Sequence, residues 1–427
     1  MQPAVPEEKP AMTKPVGVGI IGAGYWGKKL VQEYLASERN KHYVKLLKIC
    51  DISLAPLLEC EAKFSVNYKQ LTQKVENIME DPKISAIHIS APNHTHYPLA
   101  KMALEAGKDV LVEKPISLSS RQAYELVDLA SSRERVLHVG HIYRFNSALH
   151  AAGQALETGA IGKVFYVRVQ WTDQAFFPDR DIIFDLGAHP VDILNQLLQA
   201  WPTQVSGLGR AYRSFKDQEE VAYVIAEFQG GVFAHIELSW LHPTKVREVT
   251  IVGSQGTLVV DCLNQRAVRY SQGNIDDLPI LANNTIESEI DWFIDSVRHR
   301  SHSIESGLIG ARTVEVLEKI RGCVWERPLP TGLPSEPDHT SAMISVLERA
   351  RSEPNQIGVP NGYETNGARV GRYVGMLQRL GLLRSVTTPE GVSYEITESG
   401  IQFLKEYQRM AHRLGKDVNE PTSPGAS

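Results

Sequence analysis

Gly22-x-Gly24-x-x-Gly27 lies between the apolar run Val16–Ile21 and a helix-like segment from Lys28 to Ser37, and it has the spacing of a pyrophosphate cradle. The first glycine permits a tight turn, the second lets backbone N–H groups approach phosphate oxygens, and the third lets helix and strand pack closely. The helix N-terminus adds unpaired N–H groups and the positive end of its dipole. A glycine-rich turn without a ligand would use the same residues, but the strand before and the helix after favour the cradle. Asp51 stands 24 residues beyond Gly27, at the end of the run Val44–Cys50. A carboxylate there accepts both ribose hydroxyls of NAD and repels the 2′-phosphate of NADP. No arginine follows at once to welcome that phosphate, so NAD is expected and NADP is the less favoured cofactor. The alternative for Asp51 is a turn residue or helix cap.

Two further clusters carry groups able to move a proton. Glu113-Lys114-Pro115 closes the apolar run Val110–Val112, where a lysine held over a cofactor can bond a substrate hydroxyl and pass a proton as hydride leaves. The other reading is a surface charge pair before a turn. Asp185-x-x-x-His189 is followed by an apolar stretch, and a helix beginning near Asp185 would set both side chains on one face. That arrangement suits an imidazole base oriented by a carboxylate, or else a helix cap with an incidental histidine.

The elements that must position these groups are legible in the chain. From Val16 to about Gly140 short apolar strands alternate with helices, as a parallel α/β sheet requires. Asp51, Pro92-Asn93-His94 and Glu113-Lys114 all fall at strand carboxyl ends, where such sheets bind ligands. From about Lys163 alternating runs (Val164–Trp171, Val205–Tyr212, Val221–Phe228, Phe233–Trp240, Val246–Val252) indicate a largely antiparallel sheet, followed by helices over Ile286–Arg298 and Leu308–Arg321. Four prolines between Pro328 and Pro337 mark a linker. Beyond it the chain reads as a helix (Ser341–Arg351), a helix from about Asn366 to Leu380, a two-stranded wing (Leu382–Thr388 and Val392–Ile396), and a last helix (Glu398–Met410) capped by Thr397. The expected organisation is a loose tail (1–15), a dinucleotide-binding domain (16–145), a substrate domain (146–327), a linker (328–339), a third domain (340–414) and a tail (415–427).

Composition agrees with a globular α/β protein: 42% of residues are hydrophobic and 22% charged, and the net charge of −5 gives no general pull toward nucleic acid or anionic membrane. No apolar run approaches the ~18 residues needed to span a bilayer. Met1–Pro15 lacks the apolar core of a signal peptide, and the four cysteines have no paired metal or disulfide spacing, so a cytoplasmic setting and no metal are expected.

The ordered motifs Gly22-Ala-Gly-Tyr-Trp-Gly27, Ala91-Pro92-Asn93-His94-x-His96, Ala106-Gly107-Lys108-x-Val110-Leu111-Val112-Glu113-Lys114-Pro115 and Gly140-His141-x-x-Arg144-Phe145-Asn146 resemble the glucose–fructose oxidoreductase, inositol dehydrogenase and rhizopine-catabolism (Gfo/Idh/MocA) family, as does the pair Asp185 and His189. The resemblance spans roughly Val16 to Arg327. It implies a Rossmann domain, an α/β domain whose open sheet forms a homo-oligomer (dimer or tetramer), and NAD(P)-linked chemistry at a sugar or cyclitol hydroxyl. It makes Lys114 and His189 the acid/base residues, has Asp185 support His189, and puts Glu113 at the nicotinamide end. The matching positions give a cofactor set of Gly22, Gly24, Tyr25, Trp26, Gly27 and Asp51, with Pro92, Asn93, His96, Glu113, Lys114 and Arg144. The substrate set is Lys114, Arg144, Asn146 and Trp171, with Asp185, His189, Lys245 and Arg247. The family often has a glycine run before its Asp, whereas Asp179-Arg180-Asp181-Ile182-Ile183-Phe184 stands here.

Gly24-Tyr25-Trp26-Gly27-Lys28 and Ser239-Trp240-Leu241-x-Pro243-x-Lys245-Val246-Arg247 are most similar to the nucleotide-sugar branch, including UDP-N-acetylglucosaminuronate 3-dehydrogenases. Lys245 and Arg247 would then meet a diphosphate. The third unit resembles winged helix-turn-helix modules, in which Arg369, Arg372 and Arg379 would face DNA. Its near balance of acidic and basic residues disfavours DNA as the main partner.

Overall fold

The computed structural model describes residues 14–37, 42–175, 180–212, 219–301 and 304–325, and beyond them 339–352, 374, 377–378, 380–388 and 391–413. The expected linker apart from His339, the N-terminal tail apart from Lys14 and Pro15, the whole C-terminal tail, and Arg369, Arg372 and Arg379 lie outside the described residues. The chain divides into two units, Met1–Pro328 and Leu329–Ser427.

In the first unit a parallel sheet forms from β1 (Val16–Ile21), β2 (Val44–Cys50), β3 (Leu71–Thr72), β4 (Ala86–Ile89), β5 (Asp109–Glu113) and β6 (Leu137–Gly140). The intervening helices are α1 (Tyr25–Ala36), α2 (Leu54–Phe64), α3 (Glu76–Met79), α4 (Asn93–Glu105) and α5 (Ser120–Ser132). The order is β3-β2-β1-β4-β5-β6, so direction reverses between β1 and β4 and opens a crevice at their carboxyl ends. Strands β1, β4, β5 and β6 are buried throughout, which is why they read as near-continuous apolar runs.

A 3-10 turn (Ile142–Phe145) and α6 (Ser147–Glu157) lead into the second sheet. Its parts are β7 (Val164–Gln174), α7 (Ile182–Asp185), α8 (Ala188–Leu198), β8 (Gln204–Arg210), β9 (Val221–Glu227), β10 (Phe233–Ser239), β11 (Leu241–Gly253), β12 (Thr257–Asp261), β13 (Arg266–Ser271) and β14 (Asn274–Asp277). The order is β14-β13-β12-β11-β7-β10-β9-β8, antiparallel except for the pair β7–β10. Alternate residues face the helices, while the other face is open and aromatic. There Tyr166 stacks on Phe233 at 5.5 Å and Tyr223 on His235 at 5.9 Å.

Two helices close the unit, α9 (Thr285–His299) and α10 (Glu305–Trp325). Ile290, Phe293, Ile294 and Val297 of α9 share one core with Val18, Ile20 and Leu111 of the first sheet and Leu30 of α1. Helix α10 packs on α5 and β6 as well as on β8, with Gly310 set against Val139. The end of the expected substrate domain thus returns to the dinucleotide-binding sheet.

The second unit has α11 (His339–Ser352), the hairpin of β15 (Leu383–Thr388) and β16 (Gly391–Ile396), and α12 (Glu398–Arg413). Ile344, Leu347, Leu377, Leu383 and Leu404 form its core. Thr397 caps α12, its hydroxyl accepting from the Gly400 N–H at 3.1 Å. No helix among the described residues is long and apolar enough to cross a membrane.

Candidate active site

The glycine loop fills the crevice beside β1. Gly22 adopts φ +98°, and a Cβ there would sit 2.6 Å from the Ser90 carbonyl oxygen. A Cβ on Gly27 would lie 1.9 Å from the Gly22 carbonyl oxygen, so both glycines are sterically required. A Cβ on Gly24 meets open space, which is where backbone must be approached by a ligand. The loop ends at the N-terminus of α1, whose Gly24 cap has no side-chain partner. Asp51 Oδ2 accepts from the Ala23 N–H at 2.8 Å and Oδ1 from the Ser53 N–H at 2.8 Å. Asp51 therefore braces the loop as well as its own turn, and a carboxylate oxygen has further lone pairs for ribose hydroxyls. Open space over Gly24 and a carboxylate at the end of β2 fit an NAD adenosine diphosphate.

Farther along the crevice, Trp26 Nε1 donates to the Glu113 carboxylate, which lies across Gly140. Pro92 and Asn93 flank the start of α4. Tyr25 is exposed, and the hydrogen bond and charge of Lys29 hold its phenol below the usual tyrosine range.

Lys114, just past β5 and before a cis Pro115, reaches into the second domain. Its Nζ donates to the Asp185 carbonyl oxygen at 2.8 Å and to Asp185 Oδ1 at 3.3 Å. Asp185 Oδ2 lies 3.5 Å from Arg180 Nη1. This corrects the single-helix expectation for Asp185 and His189. Asp185 ends α7, which Asp181 caps through the N–H groups of Ile183 and Phe184. Leu186 and Gly187 then break the chain before α8, and no hydrogen bond joins Asp185 to His189 among the described contacts. Asp185 supports Lys114, not the imidazole.

His189 instead leans on rings. Tyr143 meets it edge-on at 4.9 Å, and Trp171 lies 5.8 Å away. Burial, then the charges of Lys114 and Arg247, hold its pKa well below the usual histidine value. The imidazole is therefore neutral at neutral pH and able to accept a proton.

Four other expected contacts are placed differently. Asn146, 1% exposed, caps α6 by accepting from the N–H groups of Ala148 and Leu149, and its amide donates to the Cys262 carbonyl. Its polar groups serve the fold, not a substrate. His96 is buried, with Nδ1 2.7 Å from the Pro115 carbonyl oxygen and Nε2 2.8 Å from that of Ala91, so it ties together the exits of β4 and β5 without facing a cofactor. Trp171 is fully buried beneath His189. Arg247 is buried too: Nη1 donates to the carbonyls of Thr172 and Val246, and its guanidinium sits 5.1 Å over the Trp171 ring. It is not free to meet a diphosphate. Lys245 is, with a side chain 54% exposed and Nζ 3.7 Å from Asp173. Its charge acts weakly on both Tyr25 and His189. Arg144 is tied to α8 through Asp192 at 2.7 Å and Asn195 at 2.8 Å.

Sequence reading missed Tyr143, though it lies inside the noted Gly140-His141-x-x-Arg144 motif. It also missed Glu289 on α9, fully enclosed beneath the crevice. Burial, then the Glu113 and Asp192 charges, push its carboxyl well above the usual range, so it is held protonated.

A dinucleotide crevice with a paired lysine and a neutral imidazole at its far end defines an NAD-linked oxidoreductase. Residues 16–141 match the family described as "Oxidoreductase family, NAD-binding Rossmann fold", and residues 149–259 match the "GFO/IDH/MocA C-terminal domain". The chain belongs to the Gfo/Idh/MocA family. The "Uncharacterized oxidoreductase YdgJ" of Escherichia coli (strain K12) is 34% identical over 194 residues, 42% of this chain and about half (53%) of that protein. The "UDP-N-acetylglucosamine 3-dehydrogenase" of Acidithiobacillus ferrooxidans is 26% identical over 319 residues, 72% of this chain and 96% of the other. A solved structure of that organism's dehydrogenase superposes with TM-score 0.63 at 25% identity, covering 72% of this chain and 97% of the other. An inositol dehydrogenase homolog from Azotobacter vinelandii, "complexed with NADH and myo-inositol", shares the fold at TM-score 0.65 and 17% identity, covering 74% and 97%.

Proposed function

We propose that this protein interconverts a ring hydroxyl of a nucleotide-linked sugar and the corresponding ketone, with Lys114 and His189 handling the hydroxyl proton. The observation that carries the reading is that Lys114, held by Asp185 just past β5, acts on a buried His189 whose protonation burial disfavours. Bound NAD supplies the hydride acceptor. In the oxidative direction His189 takes the hydroxyl proton, and the Lys114 ammonium donates a hydrogen bond to the oxygen as it becomes a carbonyl. Asp185 holds the Lys114 Nζ in place through its carbonyl and carboxylate oxygens. Asp51 and the loop N–H groups hold the adenosine ribose and pyrophosphate, and Glu113 fixes Trp26 near the reacting end.

The nucleotide-linked substrate is supported by exposed Lys245, whose charge acts on both Tyr25 and His189, and by the likeness to the Acidithiobacillus dehydrogenase. Ammonium groups suit phosphate oxygens. The aromatic open face of the second sheet fits a second copy of the chain, giving a homo-oligomer. The test is NADH formation across free sugars, inositols and UDP-linked sugars. Turnover confined to UDP-linked sugars supports the reading, and turnover of free inositols or sugars alone refutes the nucleotide-linked part.

A further inference from the structure

Arg247 raises a question that the hydride chemistry does not answer: why a guanidinium is enclosed against a tryptophan that also neighbours the proposed base. Burial disfavours this charge, and the sheet compensates with two carbonyl acceptors, Thr172 and Val246, and with Asp173 3.6 Å from Nη2. Tyr143 completes the surroundings: it is hydrogen-bonded to Arg247, meets Trp171 edge-on at 4.7 Å, and meets His189 in the same way at 4.9 Å. Four elements thus build one stack, with Tyr143 from the 3-10 turn, Trp171 from β7, Arg247 from β11 and His189 from α8.

We propose that Arg247 is a positioning residue that acts on His189 through the Tyr143–Trp171 stack, fixing the ring's orientation and opposing its protonation. The proposal rests on the reading of His189 as the base. A buried positive charge near an imidazole penalises the imidazolium, because low-dielectric surroundings screen it poorly. The other charges facing His189 are Lys114 from the β5 exit, Lys245 from β11 and His141 beside the 3-10 turn. Asp173 on β7 opposes them by pairing with both Arg247 and Lys245.

This layout predicts opposite effects from two substitutions. Arg247→Met removes the cation and keeps much of the apolar stem, so the acid limb of the kcat/KM–pH profile moves to higher pH, by about half a unit or more. Asp173→Asn leaves the cations less balanced and moves the same limb to lower pH. Asp173 is partly exposed, so this variant tolerates substitution even where Arg247→Met fails to fold. Arg247→Lys keeps a cation and leaves the limb near the wild-type position. The imidazole titration of His189, followed by NMR on 15N-histidine-labelled full-length protein, reads the same shifts without turnover. Opposite displacements in the two variants support the proposal. Unmoved His189 titration in Asp173→Asn, or in folded Arg247→Met, overturns it. NMR shifts in a protein whose His189→Ala variant stays fully active would leave the tuning intact and refute the role of His189 as base.

Discussion

The Nζ of Lys114 stands 2.8 Å from the Asp185 carbonyl oxygen and 3.3 Å from its carboxylate, joining the end of β5 to the end of α7. One side chain thereby links the cofactor sheet to the helix pair that carries His189. Asp185→Asn keeps the carbonyl contact and removes the charge. Turnover should fall about ten- to a hundredfold as Lys114 loses its aim, with NADH affinity nearly unchanged. Steady-state kinetics beside NADH fluorescence titration checks this split.

The two glycines of the loop separate folding from binding. Gly27→Ala places a methyl 1.9 Å from the Gly22 carbonyl oxygen, so it should unfold or distort the loop and lower the melting temperature. Gly24→Ala puts its methyl in open space. It should keep the wild-type melting temperature without ligand and lose most of the stabilisation that NADH confers, which differential scanning calorimetry measures directly.

His189 gives a pH signature in stability. Burial holds its folded pKa well below the ordinary histidine value. As pH falls through about 6.5 the unfolded chain takes up a proton that the native ring refuses, so stability declines from there into acid. Glutamine in its place cannot titrate. The His189→Gln variant should show a shallower loss of melting temperature between about pH 7 and pH 5.

Glu289 has the opposite sense at higher pH. Burial raises its folded pKa well above the ordinary carboxyl value. Above that value the unfolded carboxyl ionises while the native one stays protonated, so the residue costs stability as pH rises toward its folded pKa. Glu289→Gln keeps the shape without the proton equilibrium. It should melt higher than wild type at pH 8 and nearly the same at about pH 5 in parallel thermal scans.

Much of this site was legible in the residue order because backbone geometry demands it. Gly22, Gly27, Asp51 and Lys114 all sit where the strand–glycine–helix pattern and the strand ends put them. The break between Asp185 and His189 was not legible. A four-residue spacing is compatible with one helix, and only the packing of Gly187, whose Cβ would lie 2.4 Å from the Ile183 carbonyl oxygen, shows the turn. Arg247 and Trp171 read as substrate contacts, and their burial rests on contacts with Tyr143 and His189 that are distant in sequence. Asn146 read as a polar contact because a helix cap and a ligand contact use the same side chain. Strands β12–β14 were missed since their residues, such as Arg266, Arg269 and Asp276, pair charges across a half-exposed edge. The helices α9 and α10 were legible as helices, but not their return to the first sheet, which rests on contacts distant in sequence.

The account turns on proton handling by Lys114 and His189 above a bound dinucleotide. The most direct test measures NADH formation and NADH affinity together for wild type, Lys114→Ala and His189→Ala, with UDP-N-acetylglucosamine and its oxidised relatives as substrates. Each variant should lose turnover by about a hundredfold or more while binding NADH within about threefold of wild type. Wild-type turnover in both variants would contradict the mechanism.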